Sequence, residues 1–552
     1  MKKDKWFSIK IKDPLFLIAI IIIVISLLLF IILPMFQVFK QSIFDLSGNL
    51  TSEAYINAFK SDSNVRAIKN TLFLGTVVGI LSTVVGFAFA YTNAYIKMRW
   101  KTFFNFITIL PMVSPPFAIS LSIIYLFGTR GLITRELFGI MDSNIYGLPG
   151  LILVQTLTFF PISYLVLNGV LKTIDPSVEE ASENLGANKL NTFLKITLPL
   201  SRSAIANSFL LVFIKSIADF GNPIAIGGSF NTLAVMVYQQ ALGNYDLAGA
   251  AALAIILLDI SLVLFVLSKY YFDTKSYVTV TGKTAKHRSM IRNLPLNVIC
   301  TIIASFIILL YILIPVGSFV KLWGVNYSLT LEHYVYALAV GKKAIFDTTI
   351  FSIIAAPITG VLGMLIAYII VRKKFFGKGF IEFTSMLGIA VPGTVIGIGY
   401  ILAFNTPPIV LTGTATILII TFIARSIPIG IKSGVSTLQQ IDPSIEEAAT
   451  DLGANSFKVF FTITLPMLKQ AFLGGMVYSF IKSMTSLSAV IFLISARYNL
   501  ITISVLDQVE VGKYGVASAF STILICIVYT AIFIMEKGIS LSSGKKEKIN
   551  LS

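Results

Sequence analysis

IDPSVEEASENLGANKLNTFLKITLPL, residues 174–200, returns 267 positions later as IDPSIEEAATDLGANSFKVFFTITLPM, residues 441–467, with 16 of the 27 aligned positions identical. Both copies fit E-A-A-x3-G-x9-I-x-L-P, through Glu180, Ala181, Gly186 and Ile196–Pro199, then Glu447, Ala448, Gly453 and Ile463–Pro466. The first copy departs only in Ser182, which stands at the second Ala. Each copy predicts a short capped helix. Asp175 can cap the first turn, Pro176 suits the first helical position, and Glu179 and Glu180 lie near the positive end of the helix dipole. Gly186 is a natural stop. Between cap and stop lies a helix of about ten residues, roughly 15 Å long. Asp442, Pro443, Glu446, Glu447 and Gly453 repeat the arrangement. A rigid polar helix between apolar segments suits insertion into a partner's cleft. Capped acidic helices also occur in ordinary interfacial loops; one copy already favours the partner, and two at equivalent places favour it further.

Composition sets the class around these loops. The 552 residues are 56% hydrophobic and 12% charged, with a mean hydropathy of +0.86, too apolar for a soluble chain of this length. Runs such as Leu15–Phe36 and Ile299–Val320 can cross a hydrocarbon core, which takes about 20 residues. Hydropathy predicts spans near 15–37, 68–95, 103–127, 148–171, 202–225 and 247–268, then near 297–320, 347–371, 380–404, 412–435, 469–492 and 515–536. The expected fold is an all-α membrane protein of about twelve helices in two parallel-topology sixes. A first half at 1–270 and a second at 297–552 flank a basic linker at 271–296.

Charge orients the chain. Lys2, Lys3, Lys5, Lys10 and Lys12 precede the first span, Lys97, Arg99 and Lys101 follow the second, and Arg372, Lys373, Lys374 and Lys378 follow the eighth. The linker adds Lys269, Lys275, Lys283, Lys286, Arg288 and Arg292, and the tail Lys545, Lys546 and Lys548, whereas 226–246 and 404–411 carry no Lys or Arg. Under the positive-inside rule these basic segments, both termini and both repeats are cytoplasmic. The net charge of +17 is thus explained by topology and anionic lipid headgroups, with no need of nucleic acid. The first apolar run exceeds a signal-peptide core and lacks a small-residue cleavage site, so an anchor is expected.

Other chemistries find little support. Cys300 and Cys526 fall inside predicted spans, His287 in the linker and His333 in an outer loop, so no metal-ligand spacing arises. Gly282-Lys283-Thr284 ends like a phosphate-binding loop, but Tyr277 stands where its first glycine belongs. The chain is not expected to hydrolyse ATP, and no Ser-His-Asp or paired-carboxylate arrangement suggests another enzyme. The repeat does extend to Phe213-Ile214-Lys215-Ser216 and Phe480-Ile481-Lys482-Ser483, putting a lysine at membrane depth in each half. Asp219 follows Lys215 by four residues, a spacing that allows pairing on one helix face, and Asn222 lies just beyond. The second half has Ser486 and Ser488 there instead, and Arg425 is a further charge within a span. In one reading these residues line a pathway that favours an anion. In the other, Lys215 pairs with Asp219 while Arg425 and Lys482 snorkel or satisfy helix ends. Pro115-Pro116 and Pro392-Gly393 mark kinks, in the pathway or in packing.

The duplicated loop resembles the cytoplasmic loop of permease subunits in binding-protein-dependent ABC importers, the loop that docks the ATPase. The whole chain is similar to fused permeases of the ferric-iron importer group, with a MetI-like permease fold. The resemblance implies a bacterial plasma-membrane transport subunit with two separate ABC ATPases, which use the ATP, and an extracytoplasmic solute-binding protein. It implies no cofactor in the chain itself. It assigns ATPase docking to Glu179, Glu180, Ala181, Gly186 and Pro199, and to Glu446, Glu447, Ala448, Gly453 and Pro466. Ferric iron is the expected cargo; thiamine, phosphonates and sugar phosphates are carried by related permeases. The alternative from another class is an ion-coupled secondary transporter, for which Asp219 is the clear membrane-depth carboxylate.

Overall fold

The two apolar sixes form helices because intrasegment hydrogen bonding satisfies backbone N–H and C=O groups in hydrocarbon. The computed structural model describes residues 14–272 and 294–543, apart from 46, 99, 142, 374 and 376. The basic N-terminal stretch, the linker from 273 to 293 with its Gly-Lys-Thr and His287, and the lysine-rich tail lie outside the described residues. Among the described residues nine helices are long and apolar enough to cross a membrane, and three bent pairs bring the number to twelve. Spans 1 to 6 are Leu17–Ile43, Asp62–Tyr95, Lys101–Val113 with Ala118–Leu137, Leu148–Thr173, Lys189–Ile217 and Leu247–Tyr271. Spans 7 to 12 are Pro295–Phe319, Glu332–Arg372, Lys378–Ala390 with Gly393–Phe404, Ala415–Leu438, Ser456–Met467 with Lys469–Met484, and Tyr514–Met535.

The two matching bends fall at proline. Span 3 turns by 100° around Pro115-Pro116 and span 9 by 113° around Pro392-Gly393, since proline has no N–H to continue the ladder and clashes with the preceding turn. Span 11 bends by 79° at Leu468.

Spans 2, 4 and 5 pack into one core and spans 8, 10 and 11 into its counterpart. Gly86 permits the closest approach of spans 2 and 4, for a Cβ there would lie 2.5 Å from Ser163 Cβ and 2.8 Å from the Tyr164 backbone nitrogen. The first span of each half is exchanged. Span 1 packs between span 6 and span 9, where Tyr400 Oη donates to the Phe30 carbonyl at 2.9 Å and the Phe30 and Phe404 rings stand 5.7 Å apart. Span 7 packs between span 12 and span 3, with Ser122 Oγ donating to the Leu310 carbonyl at 2.5 Å. The halves therefore interlock. Hydropathy does not anticipate the antiparallel strands Val320–Leu322 and Asn326–Leu329 that join spans 7 and 8.

Candidate functional site

The repeated sequence folds as predicted at its ends, except that the second helix begins one residue later, with Pro443 at the cap position instead of the first helical one. The first repeat helix is Pro176–Asn184 and the second Ser444–Asp451. Asp175 Oδ1 accepts from the Ser177 N–H at 2.9 Å, and Asp442 Oδ1 from the Ser444 N–H at 3.0 Å. The Ser444 N–H, with the Ser444 hydroxyl, holds the exposed Asp442 carboxyl below its ordinary range. Gly186 and Gly453 take φ of +88° and +87°, a left-handed geometry that glycine adopts without a Cβ penalty. The Ala187 N–H then reaches the Ser182 carbonyl at 3.1 Å and the Gly186 N–H the Glu183 carbonyl at 3.0 Å. Ala454 to Ala449 at 3.0 Å and Gly453 to Thr450 at 2.9 Å close the second copy in the same way, satisfying carbonyls that a helix end leaves open. A widened π-turn at Phe193–Thr197 and Phe460–Thr464 leads into Pro199 and Pro466.

Adjacent glutamates have opposite tasks. Glu180, Ala181, Glu447 and Ala448 face outward, next to Leu185 and Leu452, which are 89% and 90% exposed. Each helix thus presents an acidic, apolar-tipped surface that the body of the protein does not cover. Glu179 and Glu446 turn inward. Glu179 Oε1 accepts from Tyr95 Oη at 2.7 Å and from Thr197 Oγ1 at 2.8 Å. Glu446 Oε1 accepts from Thr464 Oγ1 at 3.0 Å, and its Oε2 pairs with Arg372 Nε at 3.1 Å, the two side chains only 9% and 12% exposed. Arg372 Nη2 also donates to the Ile441 carbonyl at 2.8 Å. Each inner glutamate therefore fastens a repeat helix to the end of span 2 or 8 and the start of span 5 or 11.

The sequence reading missed Tyr95, Thr197, Arg372 and Thr464. The two threonines could have been found, being identical at the 267-residue offset. Tyr95 and Arg372 correspond at an offset of 277, because 20 residues (128–147, the short turn Leu132–Leu137 among them) separate the helix that ends at Phe127 from span 4, where 10 (405–414) separate the helix that ends at Phe404 from span 10. Charge pattern alone reads Arg372 as a topology marker.

The membrane-depth charges form a second group. Lys215 and Lys482 occupy the last turns of spans 5 and 11, where a helix end favours a cation by about 0.3–1 kcal/mol. Burying a charge at membrane depth costs roughly 2.5–3.5 kcal/mol, so the helix ends offset only part of it. Asp219 does not pair with Lys215, contrary to the spacing argument. Span 5 stops at Ile217, so the four-residue interval no longer places both on one helix face. Asp219 Oδ2 instead accepts from Gln155 Nε2 and Asn222 Nδ2, each at 2.8 Å. Ser216 Oγ donates to Gln155 Oε1 at 2.5 Å and Ser120 Oγ to Asn222 Oδ1 at 2.9 Å. Gln155 and Ser120 had no signal in the repeat, since Phe422 stands at the offset position of Gln155.

Lys482 lies within the fields of Lys215, Arg425 and Asp219, which brings charges from both halves into one cluster. Arg425, near the middle of span 10, shares its surroundings with Ser488. A Cβ on Gly393 would come 2.0 Å from Ser488 Oγ and 2.5 Å from Arg425 Nη1. Across the same junction a Cβ on Gly221 would lie 3.2 Å from both Leu487 of the second half and Pro116 of the first. The proline breaks and the ends of spans 5 and 11 thus converge where the halves meet. Ser486 is buried there, its carbonyl accepting from Thr502 Oγ1 at 2.6 Å. Among the described residues no three His, Cys, Asp or Glu side chains converge as a metal site would require.

A family model described as "binding-protein-dependent transport system inner membrane component" matches residues 75–275 and again residues 359–536. The ferric transport system permease protein of Actinobacillus pleuropneumoniae is 41% identical over 540 residues, covering 95% of this chain and 78% of that protein. A relative from Haemophilus influenzae, also named for a ferric transport system permease, is 41% identical over 500 residues, covering 88% of this chain and 79% of its own. Among solved structures, a bacterial ABC transporter involved in alginate import covers 46% of this chain and 94% of its own at 19% identity. Its TM-score is 0.38, a likeness too slight to argue from.

Proposed function

The chain belongs to the family of binding-protein-dependent transport system inner membrane components, and on that premise we propose that it forms the whole membrane pathway of an ABC importer for ferric iron. The observation that carries this reading is the duplicated repeat hairpin, closed in the same way in both halves and fastened inward through Glu179 and Glu446. Two such hairpins on one chain suit two ATPases. Glu180, Ala181, Leu185 and Gly186 form the first docking surface, and Glu447, Ala448, Leu452 and Gly453 the second. The hairpins, the linker and both termini face the cytoplasm, and a separate extracytoplasmic protein delivers the solute to the opposite face. Ferric iron is supported by the relatives named for its transport, each covering most of the chain.

The mechanism follows from the fastenings. A movement imposed on a repeat helix by a closing ATPase pulls directly on spans 2 and 5, or 8 and 11, because the inner glutamate is bonded to all of them. Spans 5 and 11 end beside the charge cluster between the halves. Lys215, Asp219, Asn222, Arg425, Lys482, Ser486 and Ser488 are the proposed lining of the pathway. Cells that depend on this chain should take up radioactive iron only while the partner ATPases can hydrolyse ATP. Uptake that survives an ATPase with an inactivated catalytic site would point to an ion gradient and refute the importer reading. Iron-limited growth indifferent to loss of the chain would remove the ferric assignment.

A further inference from the structure

Three cations meet at the junction of the halves, and among the described residues none of Lys215, Arg425 and Lys482 makes a hydrogen bond or an ion pair. Arg425 Nη1 is buried with no acceptor. Among the described residues Asp219 is the one acid whose charge acts on Lys482, and it is already taken up by the amides of Gln155 and Asn222. Those amides are fixed in turn by Ser216 and Ser120, so the carboxylate cannot swing to a lysine without breaking into a five-residue chain of four hydrogen bonds. Guanidinium and ammonium groups are donors only. The cluster therefore offers many N–H donors and an uncompensated positive charge, with the Ser488 hydroxyl beside Arg425.

A bare trivalent cation brought to this place would meet repulsion from three like charges. An oxyanion would meet charge-assisted donors, among them a guanidinium whose fork matches carboxylate and phosphate geometry. We infer that the species crossing between the halves carries net negative charge, iron passing as a ferric complex wrapped in phosphate-type or carboxylate-type oxyanions. The inference rests on the ferric reading above and on the pathway running between the halves. It assigns the cations a task that structural packing does not explain: they replace the water that an anion leaves behind at the membrane surface, and repel the free cations that share its compartment. Asp219, locked in its amide cradle, moderates the positive field so that an anion can also depart.

The test uses cells expressing the chain with its ATPases and binding protein, given ferric iron and inorganic phosphate carrying separate radioactive labels. A parallel arm uses labelled citrate. The two labels should enter in a fixed ratio in one of the arms, which also distinguishes phosphate from carboxylate. Lys215→Gln with Lys482→Gln should lower that uptake by about tenfold or more while the ATPases still co-purify. Iron entering in both arms without a labelled anion would overturn the inference and leave the ferric reading standing. A labelled anion entering without iron would remove the ferric reading and keep the anionic pathway. Iron uptake unchanged or raised in the double variant would return the lysines to packing, and entry of neither label through an assembled transporter would overturn both readings.

Discussion

At the scale of single residues, the two inner glutamates do the same work. Glu179 accepts from the hydroxyls of Tyr95 and Thr197, and Glu446 from the Thr464 hydroxyl and a largely buried guanidinium. Breaking a buried pair by deleting one partner typically costs about 3–5 kcal/mol, because the remaining charge is left uncompensated. A hydrogen bond to a charged group is worth about 1.5–3 kcal/mol. Arg372→Ala should therefore lower the thermal unfolding temperature in detergent clearly more than Tyr95→Phe, and Glu446→Gln should recover part of the loss in the Arg372→Ala background. Equal shifts for the two single variants would show that the ion pair adds nothing to the fastening. Asp442 adds a pH term to the second hairpin. Its carboxyl is depressed, so the cap contributes stability above the ordinary carboxylate value near 3.8 and loses it only as pH falls through the lowered value. The cap should be intact at every pH at which cells grow.

At the scale of elements, the repeat helix is legible in sequence because its start and stop are local. Asp175 and Asp442 cap, and Gly186 and Gly453 stop, through interactions that span a few residues. A Cβ on either glycine would meet nothing within 4 Å, so a substitution there fails through backbone geometry alone. Gly186→Val with Gly453→Val should destabilise each hairpin by about 1–2 kcal/mol and reduce the ATPase recovered with the purified chain. The corresponding Asn variants, which tolerate left-handed φ, should retain more. Similar loss in both sets would mean that the surface, and not the turn, had been damaged. The Lys215–Asp219 pairing failed for a related reason. Spacing of four implies a shared face only while the helix continues, and span 5 ends at Ile217, two residues short of the acid. The bends of spans 3 and 9 were visible as Pro115-Pro116 and Pro392-Gly393. Their placement at the junction of the halves was not, because it depends on contacts between distant segments.

At the scale of the whole molecule, twelve spans in two sixes could be read from apolar runs, while the exchange of spans 1 and 7 could not. Helices in a bilayer sort by surface shape and small-residue contacts rather than by hydropathy, and hydropathy does not say which neighbour an apolar helix chooses. The joining of Tyr95 and Arg372 to the repeat helices was hidden likewise, since unequal connections of 20 and 10 residues shift the register of the early spans against the late ones. What the interlocked halves produce is a single chain with two equivalent, outward-facing hairpins on one side. The account's central claim is that each receives one ATPase. The measurement that tests it most directly is the mass of the detergent-solubilised transporter by native mass spectrometry, for the wild type and for variants reversed at one hairpin or both. The wild type should carry two ATPases. Glu180→Lys or Glu447→Lys alone should leave one, and the two together none, with the permease still inserted and folded. Two ATPases retained by the double reversal, or one at most on the wild type, would contradict the assignment of the hairpins.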